Sequence, residues 1–202
     1  MKIPDEVVKI HGITNRHVKN KPIFSQIASK IHKFLSGSDL AGFNILGFDL
    51  PFLDCEFERT SVQFDTSGRE IIDAMEIFHA WKSGRLVDAY WWYTGRELRN
   101  AHSASADCGA CWEILQAQVH HHLITPPTVG GIAKYCMSIR DSFMDSGRWF
   151  KLQEGKSVFA RGKHRGRSLE TVAHEDPTYI DWMEGLPDLR ADTRRMLKKA
   201  VR

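Results

Sequence analysis

At 202 residues, with 42% hydrophobic and 26% charged residues, the chain can bury one proper core and carry a small appended module, and its composition excludes a disordered polymer. No apolar run approaches the ~20 residues of a membrane span, and the opening Met-Lys-Ile-Pro-Asp-Glu lacks a signal-peptide core, so a cytoplasmic protein with no membrane partner is expected. The net charge of +3 is unevenly placed: residues 148–202 hold 13 Lys and Arg against 8 Asp and Glu, residues 1–147 hold 15 against 17, and the basic tail is a candidate for a polyanion.

Along the chain, Ile3–Thr14 contains a loop-like K-I-H-G-I-T, with Gly12 permitting a turn. Phe24, Ile27, Ile31, Phe34 and Leu35 form a helical stripe that Ser36-Gly37-Ser38 stops. Leu40–Asn44 reads as a short buried strand, and I-L-G-F-D-L-P-F-L as the start of a helix holding Pro51 in an early turn. Arg69–His79 predicts a short strand running into a helix. Trp91-Trp92-Tyr93 is expected to be packed. A further helix is predicted to about His122. Alternating strands and helices through residues 40–122 indicate an α/β arrangement. Thr125-Pro126-Pro127 with Gly130-Gly131 marks a boundary, followed by a helix over Ile132–Met144. In the tail, Ser157–Ala160 and G-K-H-R-G-R suggest a small basic hairpin. Helical pieces follow at Leu169–Ala173, Pro177–Met183 and Asp192–Val201.

The window Asn100–Gln118 sets an imidazole, His102, five residues before a carboxylate, Asp107, among small residues. A helix beginning just after His102 leaves that residue on the entering loop and raises Asp107 from the first turns, so both can point into one cleft. A carboxylate able to hold a divalent cation beside a proton acceptor suits metal-assisted hydrolysis; a surface His and an unrelated helix Asp are the plainer alternative. Asn44-x-x-x-x-Asp49 is a second candidate, with Asp49 past a strand end and Asn44 bracing the backbone; a carboxylate capping its own helix has the same spacing. Arg161, Lys163, Arg165 and Arg167 crowd a Gly-permitted turn that could track phosphates. Tyr179 and Trp182 are expected in the core of the tail rather than in a base-stacking platform. Cys108-x-x-Cys111 is expected as a buried thiol pair, and His120-His121-His122 as a favourable end to its helix.

G-F-N-I-L-G-F-D-L-P-F-L and A-H-S-A-S-A-D, with K-I-H-G-I-T ahead of them, closely resemble words of the DnaQ-like (DEDDh) 3′–5′ exonucleases, the group that includes proofreading epsilon subunits. The resemblance covers residues 3 to about 122. It implies a ribonuclease H-like fold, a mixed sheet flanked by helices. It also implies Asp49 and Asp107 as ligands of two magnesium or manganese ions, and His102 as the base that deprotonates water. His11 and Asn44 would lie along the nucleic acid, at a DNA 3′ end, and a polymerase or other replication or repair subunit is an expected partner. The family's Asp-x-Glu motif is not found ahead of Ile10, so the domain is expected to be N-terminally truncated, with Met1 an internal methionine and the two-metal site incomplete. F-A-R-G-K-H-R-G-R-S-L-E-T-V-A-H-E-D-P-T-Y-I-D-W-M is similar to the small module that follows the nuclease domain in exodeoxyribonuclease X-like proteins.

The expected organisation is a partial exonuclease domain over 1–124, a connector and helix over 125–147, and a small basic module over 148–202. The expected function is metal-dependent 3′–5′ hydrolysis of DNA. A nucleic-acid-binding remnant without catalysis and an RNA-directed exonuclease are the alternatives.

Overall fold

The computed structural model describes residues 2–200, so the expectation placed on Met1 and the last residue of the helix expected to reach Val201 lie outside the described residues. The chain is mixed α/β and forms two compact units that divide between Cys136 and Met137, inside the 125–147 span.

In the first unit, Pro4 precedes α1 (Asp5–His11), whose first turn carries Asp5 and Glu6 and whose end is Gly12 at φ 74°. Lys9–His11 is therefore helical, not loop: acids at the start and a left-handed glycine at the end bracket a full short helix. α2 (Asn15–Val18) follows, then α3 (Phe24–Leu35), as the apolar stripe predicts. Phe34 nevertheless points outward, 82% exposed, while Ala28 is buried.

β1 (Leu40–Gly42) and β2 (Ile71–Asp73) pair in parallel, with Leu40 opposite Ile71 and Gly42 opposite Asp73. Parallel neighbours need a crossover, and α4 (Asp49–Glu58) provides it. Leu40, Ile45 and Leu50 form a buried cluster backed by Leu35, Leu46, Phe64 and Ile71. Phe57 locks the crossover from below, stacked on Phe64 at 4.8 Å and edge-on to Phe24 at 5.0 Å. β2 runs without a break into α5 (Ala74–His79), whose Ala74, Ile77 and Phe78 are fully buried. α6 (Leu86–Thr94) and α7 (Ala104–His121) pack along each other, with Ala89, Ala110 and Ile114 buried. Of the three aromatics expected to be packed, Tyr93 is half-buried against Phe78, whereas Trp91 and Trp92 are 56% and 42% exposed, because the buried face of α6 carries Ala89 and Tyr90.

α8 (Val129–Asp141) carries the division between units, starting and ending earlier than the Ile132–Met144 expected. In the second unit, β3 (Phe150–Gln153) pairs antiparallel with β4 (Lys156–Phe159). Glu154 and Gly155, both at positive φ (51° and 74°), close this hairpin, so the partner of β4 precedes it and G-K-H-R-G-R is a separate loop. α9 (Leu169–Glu175), α10 (Pro177–Glu184) and α11 (Ala191–Ala200) cover the hairpin. Their core is Phe150, Phe159, Leu169, Val172, Ile180, Met183, Leu189 and Leu197. Trp182 is a correction: α10 turns Ile180 and Met183 inward, which leaves Trp182 53% exposed.

Candidate active site

The carboxyl ends of β1 and β2 lie level, and that is where parallel α/β sheets place their ligands. β1 ends at Gly42, where a side chain would collide with Ile45 Cβ at 2.8 Å, so the chain turns tightly out of the strand. Asn44 then takes a left-handed conformation, φ 67°, which asparagine tolerates better than most residues. Its side-chain amide lies against Gly47, where an added Cβ would stand 2.5 Å from Asn44 Oδ1. Asn44 thus braces the turn that delivers Asp49 to the first position of α4.

A residue that the spacing did not single out holds this turn in place. Asp73, at the end of β2, is 1% exposed and accepts backbone N–H bonds from Asn44 at 2.8 Å, Leu46 at 3.3 Å and Met75 at 3.0 Å. The Met75 bond caps α5; the other two tie the loop before Asp49 to the strand end. The signal was present in I-I-D-A-M, an aspartate between a β-branched strand and a helix, but its second role joins residues far apart in sequence.

Asp49 and Asp107 line one cleft of about 510 Å³, with Gly42, Phe43, Phe48, Cys108, Cys111 and Trp112 among the walls. Partial burial pushes the Asp49 carboxyl above its ordinary range; its own backbone N–H draws it back, and the negative charge of Asp73 adds to the rise. Asp107 sits in the first turn of α7 and accepts the backbone N–H of His102 at 3.2 Å. His102 is exposed on the entering loop at φ 71°, with Asn100 also left-handed at φ 57°. His102 is not among the cleft's lining residues, so Asp107 joins it through the backbone rather than through the imidazole.

The remaining expected residues lie elsewhere. His11 ends α1, and its Nδ1 accepts the Ile13 N–H at 2.9 Å. In the second unit, Lys163 pairs with Asp176 at 2.7 Å and Arg167 pairs with Glu175, so both charges are met inside the module. Arg161 lies 4.1 Å over the Trp149 ring, and Arg165 is exposed on the same loop. Of the cysteine pair, Cys111 is buried, with burial pushing its thiol up to about 12, while Cys108 is exposed, so the two are not a buried pair. His122 stacks on Trp81 at 5.2 Å and meets the Tyr93 hydroxyl at 2.8 Å. Burial, followed by the neighbouring His121, pulls its pKa down to about 4, so His122 is neutral at pH 7 and supplies no charge to the end of α7.

Among the described residues, no group of three or more His, Cys, Asp and Glu side chains is close enough to hold a metal ion. Asp49 and Asp107, two carboxylates lining one cleft, are the residues that would hold a hard divalent cation there. No helix among the described residues is long and apolar enough to cross a membrane.

A parallel strand pair thus carries two carboxylates at its carboxyl edge, with the His102 loop bonded to one of them. Residues 1–115 match the family model described as exonuclease, and the chain belongs to that family. Residues 162–184 match the exodeoxyribonuclease X-like C-terminal family. The chain is similar to DNA polymerase III subunit epsilon of Treponema pallidum (strain Nichols), 29% identical over 129 residues, 59% of this chain and 57% of that protein. It is 32% identical to the subunit of the same name from Buchnera aphidicola subsp. Acyrthosiphon pisum (strain APS) over 111 residues, 52% of this chain and 46% of that one. The Rickettsia prowazekii (strain Madrid E) subunit is 40% identical over 65 residues, 31% and 28% of the two chains. The chain thus matches 57% of the length of the first of these relatives and less than half of the other two. Both sequence resemblances, of the main domain and of the tail, agree with these matches.

Proposed function

We propose that this chain is a metal-dependent 3′–5′ exonuclease that hydrolyses phosphodiester bonds at DNA 3′ ends, built on a ribonuclease H-like fold. The observation that carries the reading is the shared cleft of Asp49 and Asp107 at the carboxyl edge of the β1–β2 pair. Asp49 and Asp107 would hold magnesium or manganese, which supplies Lewis-acid activation of water and charge stabilisation at the departing 3′ oxygen. Asp73 fixes the Asp49 loop through backbone N–H bonds. His102 stands on a loop of left-handed residues next to the Asp107 backbone bond, where it can take the proton of the attacking water once substrate closes on the loop. The relatives carry the name of a polymerase subunit, which supports a polymerase partner for this chain.

The test is a single-stranded oligonucleotide labelled at its 5′ end, incubated with manganese. The account predicts a ladder of progressively shorter labelled products, abolished by chelator and by Asp107→Asn. Immediate release of the label, or degradation that survives chelator, would overturn it. The absence of a three-ligand group among the described residues favours one second reading, a nucleic-acid-binding relative without catalysis. That reading predicts intact substrate with manganese and binding whose log affinity falls linearly with log salt. An RNA oligonucleotide in the same assay separates DNA from RNA preference.

A further inference from the structure

The second unit carries a cluster that the exonuclease chemistry does not use. On α10, Ile180 and Met183 enter the core, while Tyr179 and Trp182, three residues apart, stack on each other at 5.2 Å with 30° between their planes. Trp182 is 53% exposed, although the module's core is complete without it. The R-G-K turn lies against Tyr179 and Trp149. Gly162 is left-handed at φ +83°, and a side chain there would overlap the Tyr179 hydroxyl and come within 3.2 Å of the Trp149 ring. The close approach sets a cation on each side of the glycine. Arg161 lies 4.1 Å over Trp149, and Lys163 lies 6.0 Å from the centre of the Tyr179 ring.

We propose that Trp182, backed by Tyr179, is a stacking platform for unpaired bases of single-stranded nucleic acid, with Arg161, lying over Trp149, placed to meet an adjoining phosphate. The choice of nucleic acid rests on the exonuclease reading. The geometry adds a place within the second unit where unpaired bases would be held.

Two features favour this occupant over an apolar peptide. Flat aromatic faces interleaved with cations match a chain of bases and phosphates, and stacking on them needs no particular base. Residues 148–202 also carry 13 Lys and Arg against 8 Asp and Glu. The acids at the cluster are partly committed to the fold. Asp176 accepts from Lys163, His164 and Thr178 and caps α10; its carboxyl is held far below the ordinary range by those bonds, Lys163 first. Asp181 and Asp188 are exposed on the surface.

The test uses the full chain in chelator, so that no hydrolysis occurs, and measures anisotropy of a labelled oligothymidylate and of an abasic phosphodiester polymer of equal length. The expected result is that Trp182→Ala weakens oligothymidylate binding by about tenfold, the scale of one lost base stack, and leaves the abasic polymer unchanged. Trp182→Phe, which keeps an aromatic face, retains most of the affinity. Unchanged oligothymidylate binding by Trp182→Ala, or equal losses on both polymers, would overturn the proposal. Hydrolysis with manganese is read separately. Wild-type chain that binds through Trp182 but does not hydrolyse refutes the exonuclease reading alone, and hydrolysis without a Trp182 effect refutes the platform alone.

Discussion

Replacing Asp73 by alanine leaves three backbone N–H groups without the carboxylate they share. Two of them, on Asn44 and Met75, bond to Oδ1 at 2.8 and 3.0 Å, and the third, on Leu46, bonds to Oδ2 at 3.3 Å. Hydrogen bonds to a charged group are each worth roughly 1.5–3 kcal/mol, and loss of a helix cap about 1 kcal/mol. The Leu46 bond is long and the freed loop can reach water, so the expected cost is about 3–5 kcal/mol rather than the full sum. Asp73→Asn keeps one accepting oxygen for Asn44 and Met75 but turns an amide N–H₂ toward the Leu46 N–H, at a cost of about 1–3 kcal/mol. Urea denaturation followed by circular dichroism measures both. Because the Asn44–Phe48 turn positions Asp49, Asp73→Ala should also abolish metal-dependent hydrolysis under conditions where the chain is still folded. An alanine variant within 1 kcal/mol of wild type, or one that is folded and fully active, would refute the reasoning.

Asp49→Asn should stabilise the chain slightly near neutral pH in chelator. A carboxyl whose pKa is raised by folding contributes stability at low pH that is lost as pH rises through the folded value, so the ionised group opposes folding until a cation meets it. Thermal unfolding with and without manganese checks this: wild type should gain stability with the metal and the variant should not. His122 carries the other pH dependence. Its folded pKa, pulled down to about 4 by burial, lies below the ordinary 6.5, so the stability from its neutral form is present above 6.5 and lost as pH falls toward 4. Fluorescence of Trp81, stacked on His122, should change over that window, and His122→Gln should remove most of the slope. In the second unit, Phe159→Ala removes a side chain only 1% exposed that meets Phe150 at 4.8 Å, and should cost about 3–5 kcal/mol in urea denaturation.

Much of the first unit was legible because its elements are short and strongly punctuated. Ile71-Ile72-Asp73 followed by A-M-E-I-F-H read directly as a strand entering a helix, and the helix considered to begin just after His102 starts at Ala104. Capping chemistry was the signal underused elsewhere. Asp5 and Glu6 ahead of Gly12 define α1; Asp88, whose carboxylate accepts the Arg85 N–H at 2.8 Å, and Gly95 define α6; Glu154-Gly155 defines the hairpin. Burial direction was less legible. Periodicity says that a helix has an apolar face but not that α6 and α10 would turn tryptophans away from it, since that depends on which neighbour covers the helix. The site shows the same division. Asp49 and Asp107 could be named from spacing and resemblance, whereas the Asp73 anchor depends on a register that aligns Gly42 with Asp73 across the sheet. The basic loop misled by composition, because Lys163 and Arg167 are turned to Asp176 and Glu175.

The most direct measurement is manganese binding, followed by the loss of the free-ion electron paramagnetic resonance signal, for wild type, Asp49→Asn and Asp107→Asn, each with circular dichroism to show that it is folded. Two carboxylates sharing one cation should each be needed, so either substitution should weaken binding at least tenfold while the fold remains intact. Manganese binding that is unchanged in either variant would show that Asp49 and Asp107 do not hold a common ion, and the proposed site would be wrong.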